Sequence, residues 1–408
     1  MRKVSVFTRL VAVVVAAIAV SGLVAAEERS PNADRFTNAT GVVLFSDKGD
    51  NSATGELISD VMQTSLTVQR EFRRTLPSII NYSQTAHTQV SDDVLASTVC
   101  PTSMCAPNNR WVMWDTPFMV KDTKKRDGGY LGYENSISGF ATGISRMFDE
   151  TTSLGLAVGY DYRKLDGRDE YYMKDRADAF HAALYGGTAW RWFFLDAYAG
   201  YSRTWHRTER FVYDTGGAGT NDRNKGNFND TILSGGLKAS YVCILPNEMR
   251  ITPSLGIDYS FVQLGGSTES GWREVNGVPQ GPDTGTTRLQ WGKTNYHNVA
   301  VPAMVSLNKT YCMNFLNIGG VPSLWTPEIR GGYVAQFGAK RTGVKFHAPK
   351  LGPEQWKARS AEIGGYGTVG AGLKIKIKDK FIFGVDYNYS FASKYNNHSI
   401  TGTYGVSF

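Results

Sequence analysis

Outside residues 10–26 the chain has no apolar run long enough to cross a bilayer as a helix, a crossing that takes about 20 residues. It is also poor in side chains that carry chemistry, with four cysteines and six histidines among 408 residues. None of the histidines (His87, His181, His206, His297, His347, His398) sits in a zinc-type spacing or a nucleophile motif. No catalytic, metal-ligating or cofactor-binding residue is therefore assigned. Lys121-Asp122-Thr123-Lys124-Lys125-Arg126-Asp127 alternates in sign as a solvated loop does. Gly216-Gly217 is followed by no helix whose N-terminus could hold phosphate. Charge of one sign is scarce as well: the net charge of +7 is too mild to argue for a nucleic-acid partner.

What is present begins with an export signal. Met1-Arg2-Lys3 and Arg9 precede an apolar stretch from Leu10 to Ala26 that closes on Val24-Ala25-Ala26, the order of a secretory signal cleaved after Ala26. Losing Arg2, Lys3 and Arg9 lowers the net charge by three, from +7 to +4. The rest is rich in glycine (44), tyrosine (21), phenylalanine (20) and tryptophan (9), a composition that suits curved sheets with aromatic belts.

From residue 110 onward, segments of about ten residues alternate apolar and small polar positions. In Phe381–Phe391 one face is Phe381, Phe383, Val385, Tyr387, Tyr389 and Phe391, and the other is mainly Gly384, Asp386, Asn388 and Ser390. Phe193–Ser202 and Ile251–Phe261 repeat the pattern. A sandwich alternates too, so the connections decide. Those at 148–152, 191–192, 246–248 and 378–380 are short; those at 120–131, 164–175, 207–227, 265–295 and 341–357 are long and charged. That asymmetry belongs to barrels with short periplasmic turns and long outward loops; only the turn at 311–325 departs from it. The reading is all-β: a 12-stranded antiparallel transmembrane β-barrel over 110–408, with strands starting near Trp111, Ser136, Ser153, Ala177, Phe193, Thr231, Met249, Asn295, Leu324, Glu362, Phe381 and Ser399. Asp196, Asp258, Glu328, Arg330, Lys374, Lys376 and Asp386 fall on the inward phase.

The last strand puts Ile400, Tyr404, Val406 and the terminal Phe408 on one face, a C-terminal signal for the barrel insertion machinery. Ahead of the barrel, residues 27–109 form a short N-terminal segment. Within it Leu57, Val61, Ser65, Val68, Phe72, Leu76 and Ile79 recur at steps of four and three, which predicts an amphipathic helix over about 54–76 with Thr54 as its cap and Pro77 as its end. A helix of that length, about 30 Å, can run through a barrel lumen, where Arg70, Arg73 and Arg74 would meet the inward charges, or lie in the periplasm. In an exported chain Cys100 and Cys105 are spaced to close a small disulfide loop; pairing of Cys243 and Cys312 is left open.

With these elements assembled, residues 110–408 resemble the translocator domain of an autotransporter, the barrel of type V secretion. The resemblance rests on Arg110-Trp111-Val112-Met113-Trp114, on Ala177–Gly186 followed by Phe194–Tyr201, on Ile251–Tyr259 and on Thr326–Tyr333. It implies an outer-membrane protein that carries its N-terminal segment to the cell surface and keeps a helix in its pore. The partners it implies are outer-membrane lipid, the insertion machinery and periplasmic chaperones, with a monomeric barrel. Two features depart from the family: residues 27–53 are too few for a repetitive passenger, and residues 82–109 separate helix from first strand. A stand-alone porin-like channel and a barrel hydrolase are the alternative readings.

Overall fold

The computed structural model describes residues 53–78, 111–125, 132–148, 151–168, 173–190, 192–213, 220–275, 278–282, 288–318, 321–337, 343–347, 356–359, 364–377 and 380–408. Among the described residues one helix, α1 (Ala53–Thr75), precedes twelve barrel strands. These are β1 (Trp111–Lys124), β2 (Tyr133–Met147), β3 (Thr152–Gly167), β4 (Met173–Trp190), β5 (Phe193–Tyr213), β6 (Thr220–Tyr241), β7 (Arg250–Leu264), β8 (Thr294–Asn308), β9 (Val321–Phe337), β10 (Gly365–Ile377), β11 (Phe381–Ala392) and β12 (Tyr395–Ser407). Each pairs antiparallel with its sequence neighbours, and β1 pairs with β12 from Val112↔Ser407 to Lys124↔Tyr395. The sheet is thus a closed meander, and closure removes the edge strands that would otherwise recruit other chains. Two ladders skip at prolines: β1 loses its β12 partners at Thr116 and Pro117, and β8 its β7 partners at Val301 and Pro302. Proline has no N–H to contribute there.

Period-2 alternation produces two unlike surfaces. Along β3, Leu154, Leu156, Val158, Tyr160 and Tyr162 point out and are exposed, beside Phe140, Ile144, Phe180 and Leu184 on the adjoining strands. Soluble proteins rarely show contiguous apolar patches beyond a few hundred Å², and this one continues round the cylinder through Leu233, Ile257, Ile329 and Val385. It is a lipid-facing surface. The alternate residues point into the lumen, among them Trp114, Asp161, Arg163, His206 and Asp230, all buried.

Several strand ends differ from the expected ones. β6 begins at Thr220 rather than near Thr231, β4 at Met173 rather than Ala177, and β12 at Tyr395 rather than Ser399. Beyond the hydrocarbon a strand needs no apolar face, so alternation disappears before the ladder does: β5 and β6 stay paired out to Tyr213↔Asn221. The connections expected as plain loops at 265–295 and 341–357 also contain strands. Ser270–Val275 pairs with the end of β6, and Ser267–Thr268, Gln290–Trp291, Gly343–His347 and Trp356–Arg359 form a separate four-stranded sheet. On the short-turn side, Tyr311–Ile318 forms a hairpin with β9, which accounts for the long connection at 311–325.

The helix starts at Ala53, one residue before the expected range, so Thr54 lies inside it and the capping position falls outside the described residues. It ends at Thr75, two residues ahead of Pro77. Its apolar stripe meets the wall where the wall has no side chain. A Cβ at Gly159 would lie 2.8 Å from Phe72 Cε2, so Gly159→Leu should overpack this contact at a cost of roughly 1–3 kcal/mol. The expected result is faster tryptic cleavage at Arg70, Arg73 and Arg74 in detergent-solubilised protein, with the barrel itself still folded.

Candidate functional site

The site is the lumen and the helix inside it. The strand ends fix the direction of α1. Lys124 is at the long-loop end of β1, and its Nζ lies 2.9 Å from Asp60 Oδ1, at the start of the third turn of the helix. Asp196 is near the short-turn end of β5, and it accepts a 2.6 Å hydrogen bond from Ser78, just past the helix. The helix therefore runs from the long-loop end toward the short-turn end.

Three levels of contact hold it. At the long-loop end Val61 and Met62 are fully buried in an apolar collar with Phe228, Leu264, Trp291 and Phe346. Two of those aromatics belong to the separate small sheet of the loops, so the loops close over the helix at this end. The Tyr296 hydroxyl donates to the Met62 carbonyl at 2.9 Å.

Below the collar is a buried polar centre built from four neighbouring strands. Arg163 of β3 donates to Thr64 and Ser65 of α1 at 2.9 and 3.1 Å, and its Nη2 lies 3.4 Å from Asp175 of β4. His206 of β5 bridges Asp175 (3.0 Å) and Asp230 of β6 (3.1 Å). Ser65 donates to Asp230 at 2.5 Å. Arg163, Asp175, His206 and Asp230 are nearly inaccessible to solvent. Unpaired, any of these charges would carry a desolvation cost of several kcal/mol. Here each is met by a partner, and two of the partners are hydroxyls of the helix. The seated helix is thus part of the network.

The third level carries the helix arginines. Arg73 pairs with Asp258 of β7 and lies 5.6 Å from the centroid of the Tyr198 ring. Arg70 and Arg74 do not reach wall carboxylates as expected; both turn to Glu71 of the helix itself, at 3.3 and 2.9 Å. Glu71 also accepts a 2.8 Å hydrogen bond from Ser399 of β12, while Arg70 reaches the Tyr395 hydroxyl and lies over the Tyr366 ring. Glu71 was absent from the sequence assignment, although it is the acid that organises both arginines. Its signal was the i,i+3 spacing to Arg74.

The helix does not fill the lumen. A cavity of 490 Å³ runs from its C-terminal half toward the short-turn end, lined by Asp196, Asp258, Glu328, Arg330, Lys374 and Asp386. These are six of the seven charges expected to point inward; Lys376 follows on the same phase of β10, nearer the short turn. Arg330 spans this region, 3.1 Å from Glu328, 2.9 Å from Asp386 and 2.9 Å from Asn388.

Elsewhere in the wall, His181 of β4 has Nδ1 2.7 Å from Ser202 Oγ, and its Nε2 pairs with Asp161. This is a hydroxyl, imidazole and carboxylate in series, but Phe72 stacks on the imidazole with ring centroids 4.8 Å apart and all three groups are buried. While α1 is seated no substrate reaches them. His206 was expected near a loop and instead lies in the lumen, because β5 continues to Tyr213. Among the described residues no cluster of His, Cys, Asp and Glu could hold a metal ion.

Ile400, Tyr404 and Phe408 are exposed on the outer face of β12, with Val406 on the same face half-buried. Cys243 is a free thiol and Cys312 is disulfide-bonded, so these two do not pair with each other. The expected Cys100–Cys105 pair and the cleavage position after Ala26 lie outside the described residues.

A closed twelve-stranded cylinder with an apolar exterior, a charged lumen and a helix seated in it is the architecture of an outer-membrane translocator barrel. The autotransporter β-domain family model matches residues 113–388, more than half of the chain, and the chain belongs to that family. Among curated relatives, outer membrane protein A of Rickettsia rickettsii is 25% identical over 272 residues, covering 64% of this chain and 12% of that protein. Outer membrane protein B of Rickettsia typhi is 22% identical over 307 residues, covering 72% of this chain and 17% of that protein. The chain thus spans less than a fifth of the length of these relatives. Among solved structures, the translocator domain of the autotransporter NalP from Neisseria meningitidis matches with a TM-score of 0.52 at 14% identity, covering 80% of this chain and 98% of that one. The β-domain of the Bordetella autotransporter BrkA matches with a TM-score of 0.50 at 16% identity, covering 73% of this chain and all of that one. Both likenesses concern the fold.

Proposed function

We propose that this outer-membrane barrel is the translocator of the N-terminal segment that precedes α1, with α1 as the end state of that passage. The observation that carries the reading is the direction of the helix: Asp60 is held at the long-loop end by Lys124, and Ser78 at the short-turn end by Asp196. Chain preceding α1 accordingly leaves the barrel among the long loops, which this reading places at the cell surface. Export begins with a signal peptide cleaved after Ala26, periplasmic chaperones carry the chain, and the insertion machinery reads the outward face of Ile400, Tyr404, Val406 and Phe408. The barrel works as a monomer, since closure leaves none of its twelve strands to pair with a second copy.

Protease shaving of intact cells tests this, with one tag near Glu28 and a second in the loop at Gly216. Loss of both tags is the expected outcome. Loss of the Gly216 tag alone would contradict translocation of the N-terminal segment.

A porin-like channel is favoured by one observation, the 490 Å³ cavity with its charged lining. The apolar collar around Val61 and Met62 opposes it, because water and ions do not cross a packed apolar plug.

A further inference from the structure

The outward face of β1–β5 carries a feature that neither barrel closure nor the seating of the helix explains. Reading across the register, Lys121 of β1 lies opposite Ser136 of β2, Ser136 opposite Lys164 of β3, Lys164 opposite Arg176 of β4, and Arg176 opposite Arg207 of β5. All five residues are exposed. With neighbouring strands about 4.8 Å apart, Lys164, Arg176 and Arg207 form three adjacent cations in one row. Like charges placed directly opposite one another destabilise a sheet, so the arrangement works against the fold.

Neighbouring acids offset only part of it. Lys121 pairs with Glu134, Lys164 with Asp166 at 2.8 Å and Arg207 with Asp178, while Arg176 has no ion pair among the described residues. Arg168, which shares Glu134 with Lys121, is also exposed and adds to the excess of positive charge.

Depth gives the row its meaning. One and two residue pairs further from the long-loop end, the same outward faces hold Tyr162 and Trp205, then Tyr160 and Phe180, all exposed. Exposed aromatics at this position mark the membrane–water interface, so the cations stand at headgroup level, directly above it. The other half of the cylinder is different: at their long-loop ends β7, β8, β9, β11 and β12 present Phe261, His297, Phe337, Phe391 and His398 outward.

We propose that the strip Lys121–Lys164–Arg176–Arg207 is a binding site for an anionic lipid of the outer leaflet, whose headgroup phosphates bridge adjacent cations while its acyl chains lie on the aromatic and aliphatic face below. Guanidinium groups suit phosphate through paired hydrogen bonds, and the lipid's negative charge relieves the cross-strand repulsion. The barrel therefore holds such lipid along β1–β5.

The test uses the full chain in neutral detergent, titrated in parallel with phosphatidylglycerol and with phosphatidylcholine of the same acyl chains, and bound lipids are counted by native mass spectrometry. Phosphatidylglycerol adducts should exceed phosphatidylcholine adducts by roughly threefold or more, the scale of a modest charge-assisted contact. The triple variant Lys164→Gln, Arg176→Gln, Arg207→Gln should bring that ratio close to unity. Heat-modifiable migration shows that it is folded; relief of repulsion should leave that property intact. A second variant, Arg146→Gln with Lys309→Gln at the short-turn end, should keep the preference. Equal binding of the two lipids by the parent, or an undiminished preference in the folded triple variant, would overturn the proposal.

Discussion

Replacing Arg163 by alanine should unseat the helix and give the largest loss of stability of any single change in the lumen. Its guanidinium lies between two hydroxyls of α1 and the Asp175 carboxylate. Removing it leaves Asp175 and Asp230 facing each other across His206, without their cation, in a centre whose members are almost wholly buried. Breaking a buried charge pair by deleting one partner typically costs about 3–5 kcal/mol. The cost should be shared between the β3–β6 wall and the seating of α1, since Thr64 and Ser65 lose their donor at the same time. Urea titration followed by heat-modifiable gel migration measures the first part; tryptic release of the helix measures the second. A change below about 1 kcal/mol, the range of exposed ion pairs, would mean that the centre is wetter and looser than described.

The second large effect is on conductance. In a planar bilayer the intact mature protein should be nearly silent, because the collar of Val61, Met62, Phe228, Leu264, Trp291 and Phe346 closes the lumen at one end. Deleting residues 53–78 removes the helix from the collar and from the charged lumen below. A twelve-stranded cylinder with a polar interior then conducts, and the single-channel current should rise by roughly tenfold or more. Replacing Arg70 and Arg74 together should have an intermediate effect, since Glu71, with no exposed surface, loses both of its cations. Replacing Arg73 alone breaks the Asp258 pair, part of which is open to the cavity, and the Tyr198 contact, and should do less. High conductance in the intact protein would favour the channel reading.

The cylinder was readable from the sequence because lipid on one side and a wet lumen on the other impose a period of two on every membrane-crossing segment. Where the lipid stops, so does the signal. Residues 220–230 read Thr-Asn-Asp-Arg-Asn-Lys-Gly-Asn-Phe-Asn-Asp, with one apolar side chain, and nothing in that string marks the strand that Arg210, Phe211 and Tyr213 hold in register. The small sheet of the long loops was hidden for the same reason, since its strands are two to five residues long.

The helix was legible as a helix, but its place was not. A periodic apolar stripe serves a helix lying in the periplasm as well as one in a lumen. What separates the two is the fate of the polar side chains on and beside that stripe: Thr64, Ser65, Gln69 and Glu71 are buried and hydrogen-bonded to the wall or to the helix itself. The polar centre was half-legible. Arg163 follows the inward phase of a recognisable strand, but Asp175 fell in an expected loop, and His206 and Asp230 lay at the margins of the expected strands; only the register across β3–β6 shows that four residues spread over 68 positions of sequence meet at one helix turn.

The direction of α1 through the barrel is the point on which the functional account turns, and paired cysteines test it directly. In a chain whose native free thiols are replaced by serine, Asp60→Cys combined with Lys124→Cys should be joined by a short bis-maleimide in intact cells, giving a compact band on denaturing gels. Joining of Asp60→Cys to Asp196→Cys instead, at the opposite end of the lumen, would mean that the helix runs the other way and that the chain ahead of it does not emerge among the long loops.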